Sequence, residues 1–189
     1  MKKLIFLLLT IIVLSSCKQI LVRLYGVKKP KIESNETVVR MLEKEKVYYD
    51  YLFRLKSINS FNIVQKQFEK ANSIIITDND LNVLVTEDSS LCHMGVRSTG
   101  KQLIRNSELI LKAKRSKNLT AVFQKELNCI NCKKTFDFSD KKIIVLMTYA
   151  KFLGFNDKVS DIDFINELKE ENLLDKVNVV LVNMDFVEE

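Results

Sequence analysis

The chain has 189 residues, with 30 Lys and Arg against 24 Asp and Glu for a formal charge of +6, and 47% of it is hydrophobic. Four glycines and a single proline, Pro30, argue against a long disordered linker or an all-β sandwich with many turns. One histidine, His93, would have to carry any Ser-His-Asp or Cys-His hydrolysis alone, and the sequence holds neither a phosphate loop nor a dinucleotide fingerprint.

Lys2 and Lys3 form a basic start, Leu4 to Leu14 is an apolar run too short to span a bilayer as a mature helix, and Leu14-Ser15-Ser16-Cys17 follows. That ending resembles the lipobox of bacterial lipoproteins. The resemblance implies that residues 1–16 are a signal peptide and that Cys17 carries a diacylglyceryl group on its thiol, with the new amino terminus acylated. Two or three acyl chains hold a protein to a membrane stably, whereas one is marginal. Cys17 to Glu189 is then a mature chain of 173 residues and charge +4, enough for one domain. Its expected place is the cell membrane or outer membrane, facing the periplasm or the exterior. There it meets no nucleic acid, and its charge serves solubility or contact with acidic head groups. Residues 17–33 read as a tether that mixes Ile20, Leu21, Val22 and Leu24 with Arg23, Lys28, Lys29 and Lys31 and contains the Pro30 break. The tether either lies along the membrane or packs on the domain.

The domain is expected over residues 34–189. Ser34 or Asn35 can cap a helix running to about Lys46, Tyr51 to Leu55 is a strand, and Asn62 to Ala71 is a helix with Ile63, Val64, Gln67 and Phe68 on one side. Ser73 to Thr77 and Leu81 to Thr86 flank Asp78-Asn79-Asp80 as a hairpin, and a helix is expected over Thr99 to Lys112. The basic run Lys112, Lys114, Arg115 and Lys117 reads as a solvated face, and Leu119 to Leu127 as a short helix.

Cysteine usage leaves several accounts open. Besides Cys17 the chain has Cys92, Cys129 and Cys132, and outside the cytoplasm thiols tend to pair. One bridge and one leftover thiol is the simplest arrangement, joining Cys92 to Cys129 or Cys132, or closing Cys129-Ile130-Asn131-Cys132 on itself. The closed pair could instead be a redox dithiol, its thiolate favoured by Lys133 and Lys134. Cys92, His93, Cys129 and Cys132 are also chemically suited to zinc or copper(I), a set resembling that of lipid-anchored thioredoxin-like copper carriers. Adjacent Cys92 and His93 aim poorly at one ion, so no metal or other cofactor is expected. The carboxylate pairs Asp78 with Asp80, Asp161 with Asp163, and Glu170 with Glu171 read as turn, cap and solvent groups, so no catalytic residue is expected.

The most informative stretch is the last. Ile143 to Tyr149 is an unbroken apolar run, Asp161 to Leu174 has helical spacing, and Val177 to Val182 is a second β-branched run, together one βαβ unit. The loop between them, Tyr149-Ala150-Lys151-Phe152-Leu153-Gly154-Phe155-Asn156, resembles the active-site turn of thioredoxin-like proteins through Tyr149, Ala150, Phe152 and Gly154. Leu153 and Asn156 stand where that family has its cysteines, and no proline follows to form its cis-proline. The resemblance implies a thioredoxin-like mixed α/β sheet flanked by helices, without the family's thiol chemistry. The hairpin precedes the βαβ unit, so either the order is circularly permuted or the βαβ extends a differently ordered sheet. The reading that follows is a lipid-anchored envelope protein whose scaffold binds a protein or peptide, with Tyr149, Phe152, Leu153 and Phe155 as contacts. The alternative is a thiol-disulfide oxidoreductase or metallochaperone using Cys129 and Cys132.

Overall fold

The computed structural model describes residues 31–69, 73–85, 93–132, 138, 143–153 and 161–186. Among the described residues six α-helices and seven strands follow one another as α1 (Asn35–Lys44), β1 (Tyr51–Leu55), α2 (Ser60–Phe68), β2 (Ser73–Asp78), β3 (Asn82–Val85), α3 (His93–Arg105), α4 (Ser107–Lys112), β4 (Lys114–Asn118), α5 (Thr120–Glu126), β5 (Leu127–Cys129), β6 (Ile143–Tyr149), α6 (Asp161–Glu170) and β7 (Val177–Asn183). The strands form one mixed sheet in the order β4-β3-β2-β6-β7-β1-β5.

β6 and β7 pair in parallel over their whole length, from Ile143 opposite Val177 to Tyr149 opposite Asn183, and every residue of both is buried. Their β-branched and aliphatic runs suit strands covered on both faces. Alternate residues feed two cores. Val145, Met147, Val179 and Leu181 pack with Val38 and Leu42 of α1, Leu103 of α3 and Phe164, Ile165 and Leu168 of α6. Ile144, Leu146, Val180 and Val182 pack with Val64 and Phe68 of α2 and Val122 and Phe123 of α5. The fold is therefore a mixed sheet between two helical layers, the class expected from the sequence, with its C-terminal βαβ unit at the centre, and it is consistent with a thioredoxin-like α/β fold. β1 is parallel to β7, and the hairpin strand β2 is antiparallel to β6. The carboxyl ends of β1, β6 and β7 therefore share one edge of the sheet.

Several local expectations shift. Ser34, not Asn35, caps α1, its Oγ accepting the Thr37 N–H. α2 starts earlier than expected because Ser57 Oγ accepts the Ser60 N–H, and it ends at Glu69 with φ 66. Its buried side is Ser60, Val64 and Phe68, which leaves Ile63 exposed. The helix expected at Thr99 to Lys112 is two, interrupted at Asn106, which leaves helical geometry and whose side chain accepts the Glu108 N–H as the next N-cap. Within α3, Gly100 allows close packing, since a Cβ there would meet Ile76 at 3.3 Å. Lys112, Lys114 and Arg115 of the basic run are exposed and Lys117 is half-buried, but Lys114 to Asn118 is also an edge strand paired with β3.

Candidate functional site

In α/β sheets the loops leaving the carboxyl ends of parallel strands are where functional groups gather. Here that edge holds a cluster of polar side chains. Arg54 lies near the end of β1, Tyr149 ends β6, and Asn183 and Asp185 end and follow β7. Arg54 is 8% exposed, Tyr149 8%, Asn183 0% and Asp185 1%, so each must find its partners inside the protein.

Asp185 is the centre. Its carboxylate accepts the N–H of Lys151 at 3.0 Å, the N–H of Phe152 at 3.3 Å and the Asn183 amide at 2.7 Å. These bonds hold the 3-10 turn Lys151–Leu153 against the end of β7. Burial pushes the Asp185 carboxyl above its usual range, with Glu33 adding to this, although the Asn183 amide and the two backbone donors pull the other way. Burial likewise holds the Tyr149 hydroxyl well above its ordinary value, which keeps it a neutral phenol. The Arg54 guanidinium donates to Asn35 Oδ1 and, at 2.6 Å, to the Glu33 carbonyl. Burial lowers its pKa, and nearby Asp185, Tyr149 and Glu33 raise it. Lys151 Nζ meets both oxygens of Glu33 at 2.9 Å.

Chemically this is a clasp. The carboxylate and guanidinium bind the protein's own backbone, and the segment entering the domain is tied through Glu33 to both β1 and the turn after β6. That turn is the one that resembles the thioredoxin-like site.

The structure corrects part of the expected contact surface. Tyr149 is buried in the clasp and does not offer a surface to a partner. Phe152 is half-buried, with its ring 6.3 Å from Phe61 and 6.0 Å from Phe186 between centroids. Leu153 belongs to the 3-10 turn, and Phe155 lies outside the described residues.

The cysteine pair is elsewhere. Cys129 and Cys132 are joined by a disulfide with Cα atoms 5.6 Å apart, which selects the local bridge from the pairings left open; Cys92 lies outside the described residues. Cys129 stands opposite Phe53 on the edge strand β5, separated from β6 by β1 and β7. β5 runs antiparallel to β1, so the loop after Cys129 moves away from the clasp. It is bonded to β1: Ile130 donates to the Leu52 carbonyl at 2.8 Å, and Asn131 accepts the Leu52 N–H at 2.8 Å and donates to the Asp50 carbonyl at 2.9 Å. Cys129 is the last residue of β5, and the bridge closes on the three residues that follow it. Bonded to each other, the two sulfurs offer no thiolate to a metal. Among the described residues no three His, Cys, Asp or Glu side chains gather as metal ligands. Cys17 and the side chain of His93 lie outside the described residues.

Sequence reasoning missed Glu33, Arg54, Asn183 and Asp185. Two signals were available: a lone arginine inside the apolar strand Tyr51–Leu55, and the polar residues Asn183 and Asp185 directly at the carboxyl end of a buried strand.

Comparison with protein-family models, curated proteins and solved structures returns no match.

Proposed function

We propose that this chain is a lipid-anchored cell-envelope protein whose thioredoxin-like α/β domain binds a protein or peptide partner and performs no thiol chemistry. One observation carries the reading. The turn at the end of β6 has Leu153 in place of a family cysteine and is held by Asp185, while the chain's Cys-x-x-Cys is a closed disulfide bound to β1 at the sheet's edge. Lipid anchoring is supported by Lys2, Lys3, the apolar run and Leu14-Ser15-Ser16-Cys17.

The test is insulin reduction by dithiothreitol with the intact protein and with Cys129→Ser/Cys132→Ser. Both are expected to leave the rate at its uncatalysed value. Acceleration by the native protein that the double variant lacks would overturn the reading and make the cysteine pair a redox centre. The anchor is tested separately by the mass of the N-terminal peptide, expected to begin at Cys17 and to carry acyl groups; an unprocessed Met1 terminus would contradict it.

A further inference from the structure

We propose that the carboxyl edge of the sheet lies against the bilayer, with the rings of Phe61, Phe152 and Phe186 as its contact; this rests on the acyl anchor at Cys17. The three rings form one cluster, Phe61 to Phe186 at 5.5 Å, Phe152 to Phe186 at 6.0 Å and Phe61 to Phe152 at 6.3 Å, and all three are half-buried. Two exposed aliphatic residues are tied to these phenylalanines through the backbone: Ile32, 54% exposed, forms a β-bridge with Phe186, and Ile58, 41% exposed, accepts the Phe61 N–H through its carbonyl.

The path of the chain says what covers this patch. Residues 18–31 separate Cys17 from Ile32 and span at most about 50 Å when fully extended. The chain reaches the domain at this edge, through the Ile32–Phe186 bridge and the Glu33 N–H bonded to the Phe186 carbonyl. Of the sheet's two ends, this is the one drawn toward the lipid. An anchor raises the effective concentration of the attached surface to roughly millimolar, so a weak contact suffices.

The local charge fits a surface contact driven by apolar burial. Glu33 is taken up by Lys151, and Asp185 by backbone N–H groups. Lys31 and Lys56 are exposed. Apolar contact is screened little by salt, and the two exposed lysines add to it an attraction to acidic head groups that salt does screen.

The chain contains no tryptophan, so a single indole is a clean probe. The full chain carrying Phe61→Trp, Ile58→Trp or, as a control before the start of β1 at the opposite end, Tyr48→Trp is reconstituted in phosphatidylcholine vesicles with and without brominated acyl chains. Ile58→Trp, at an exposed position, reads the patch even if Phe61→Trp disturbs the fold. Loss of most emission at positions 58 and 61, with position 48 unaffected, is expected. Equal quenching at all three, or none at 58 and 61, overturns the proposal, and unquenched rings are then open to a protein partner. The mass of the N-terminal peptide reads the anchor independently. An acylated chain without quenching at 58 and 61 overturns the docking alone. An unacylated chain that is quenched there overturns the anchor alone, and an unacylated, unquenched chain overturns both.

Discussion

Asp185 and Asp78 are both buried carboxylates, and they are expected to respond to pH in opposite senses. Asp78 accepts the N–H groups of Asp80 and Asn82, the Asn82 amide and Arg115 Nε. Burial alone would raise its pKa, but the Asn82 bonds and Arg115 together bring it below its usual 3.8. Its stabilisation is therefore present above the unfolded value and lost as pH falls through the folded one. Asp78→Ala should cost about 1–3 kcal/mol at neutral pH, and the cost should shrink below pH ~4. Asp185 is raised above 3.8 by burial. Its contribution is full below the unfolded value and is lost as pH rises through the folded one. Asp185→Ala should thus be most destabilising in acid, leaving the Lys151 and Phe152 donors bare, and less so at neutral pH. Denaturant unfolding of both variants between pH 3 and 7 checks the two signs, and parallel pH profiles would contradict the assignment.

At the scale of elements, the two sheet edges are closed by different means. An exposed strand edge invites pairing with another chain, and proteins blunt it with charge or by keeping it short. β4 carries Lys114, Arg115 and Lys117, of which Arg115 pairs with Asp78 and Lys117 with Glu69. Lys114→Val/Lys117→Val should favour self-association, seen as an earlier-eluting species in size exclusion with light scattering; a strictly monomeric variant would show that the charges do not guard the edge. β5 has three residues, and Asn131 extends its pairing with β1 by imitating backbone groups. The bridge beyond it closes a short loop, worth about 2 kcal/mol in the chain-entropy account. Cys129→Ser/Cys132→Ser is expected to stay folded and lose about that much in denaturant unfolding. Asn131→Ala should lose a comparable 1–2 kcal/mol (roughly two neutral hydrogen bonds), the mark of a loop held by its backbone ties as well as by sulfur. A loss near zero for Asn131→Ala would sink that view.

For the molecule as a whole, what could be read from sequence depended on the range of the interaction. The β6–α6–β7 unit was legible because burial on both faces demands long apolar runs, and the β2–β3 hairpin because Asp78-Asn79-Asp80 is a local turn. β4 was not, since an edge strand rich in lysine has the composition of a solvated loop. The clasp joins Glu33, Arg54, Lys151 and Asp185, far apart in sequence and brought together by the parallel pairing of β1, β7 and β6, so local patterns mark Arg54 and Asp185 singly as unusual but not their meeting. The cysteine pairing stayed open because spacing alone does not decide between Cys92 and a neighbour three residues away; the Cys129–Cys132 bond decides it.

The central claim is that the Cys129–Cys132 bond is a structural clip at the sheet's edge and not a redox centre. It is tested most directly by alkylation and mass spectrometry of the intact protein equilibrated across glutathione and dithiothreitol buffers. The account predicts that the Cys129–Cys132 bond stays closed until the potential is more reducing than about −270 mV, outside the span of known dithiol oxidoreductases. Reversible opening and closing between roughly −120 and −270 mV would contradict it and place the chain among thiol-disulfide exchangers.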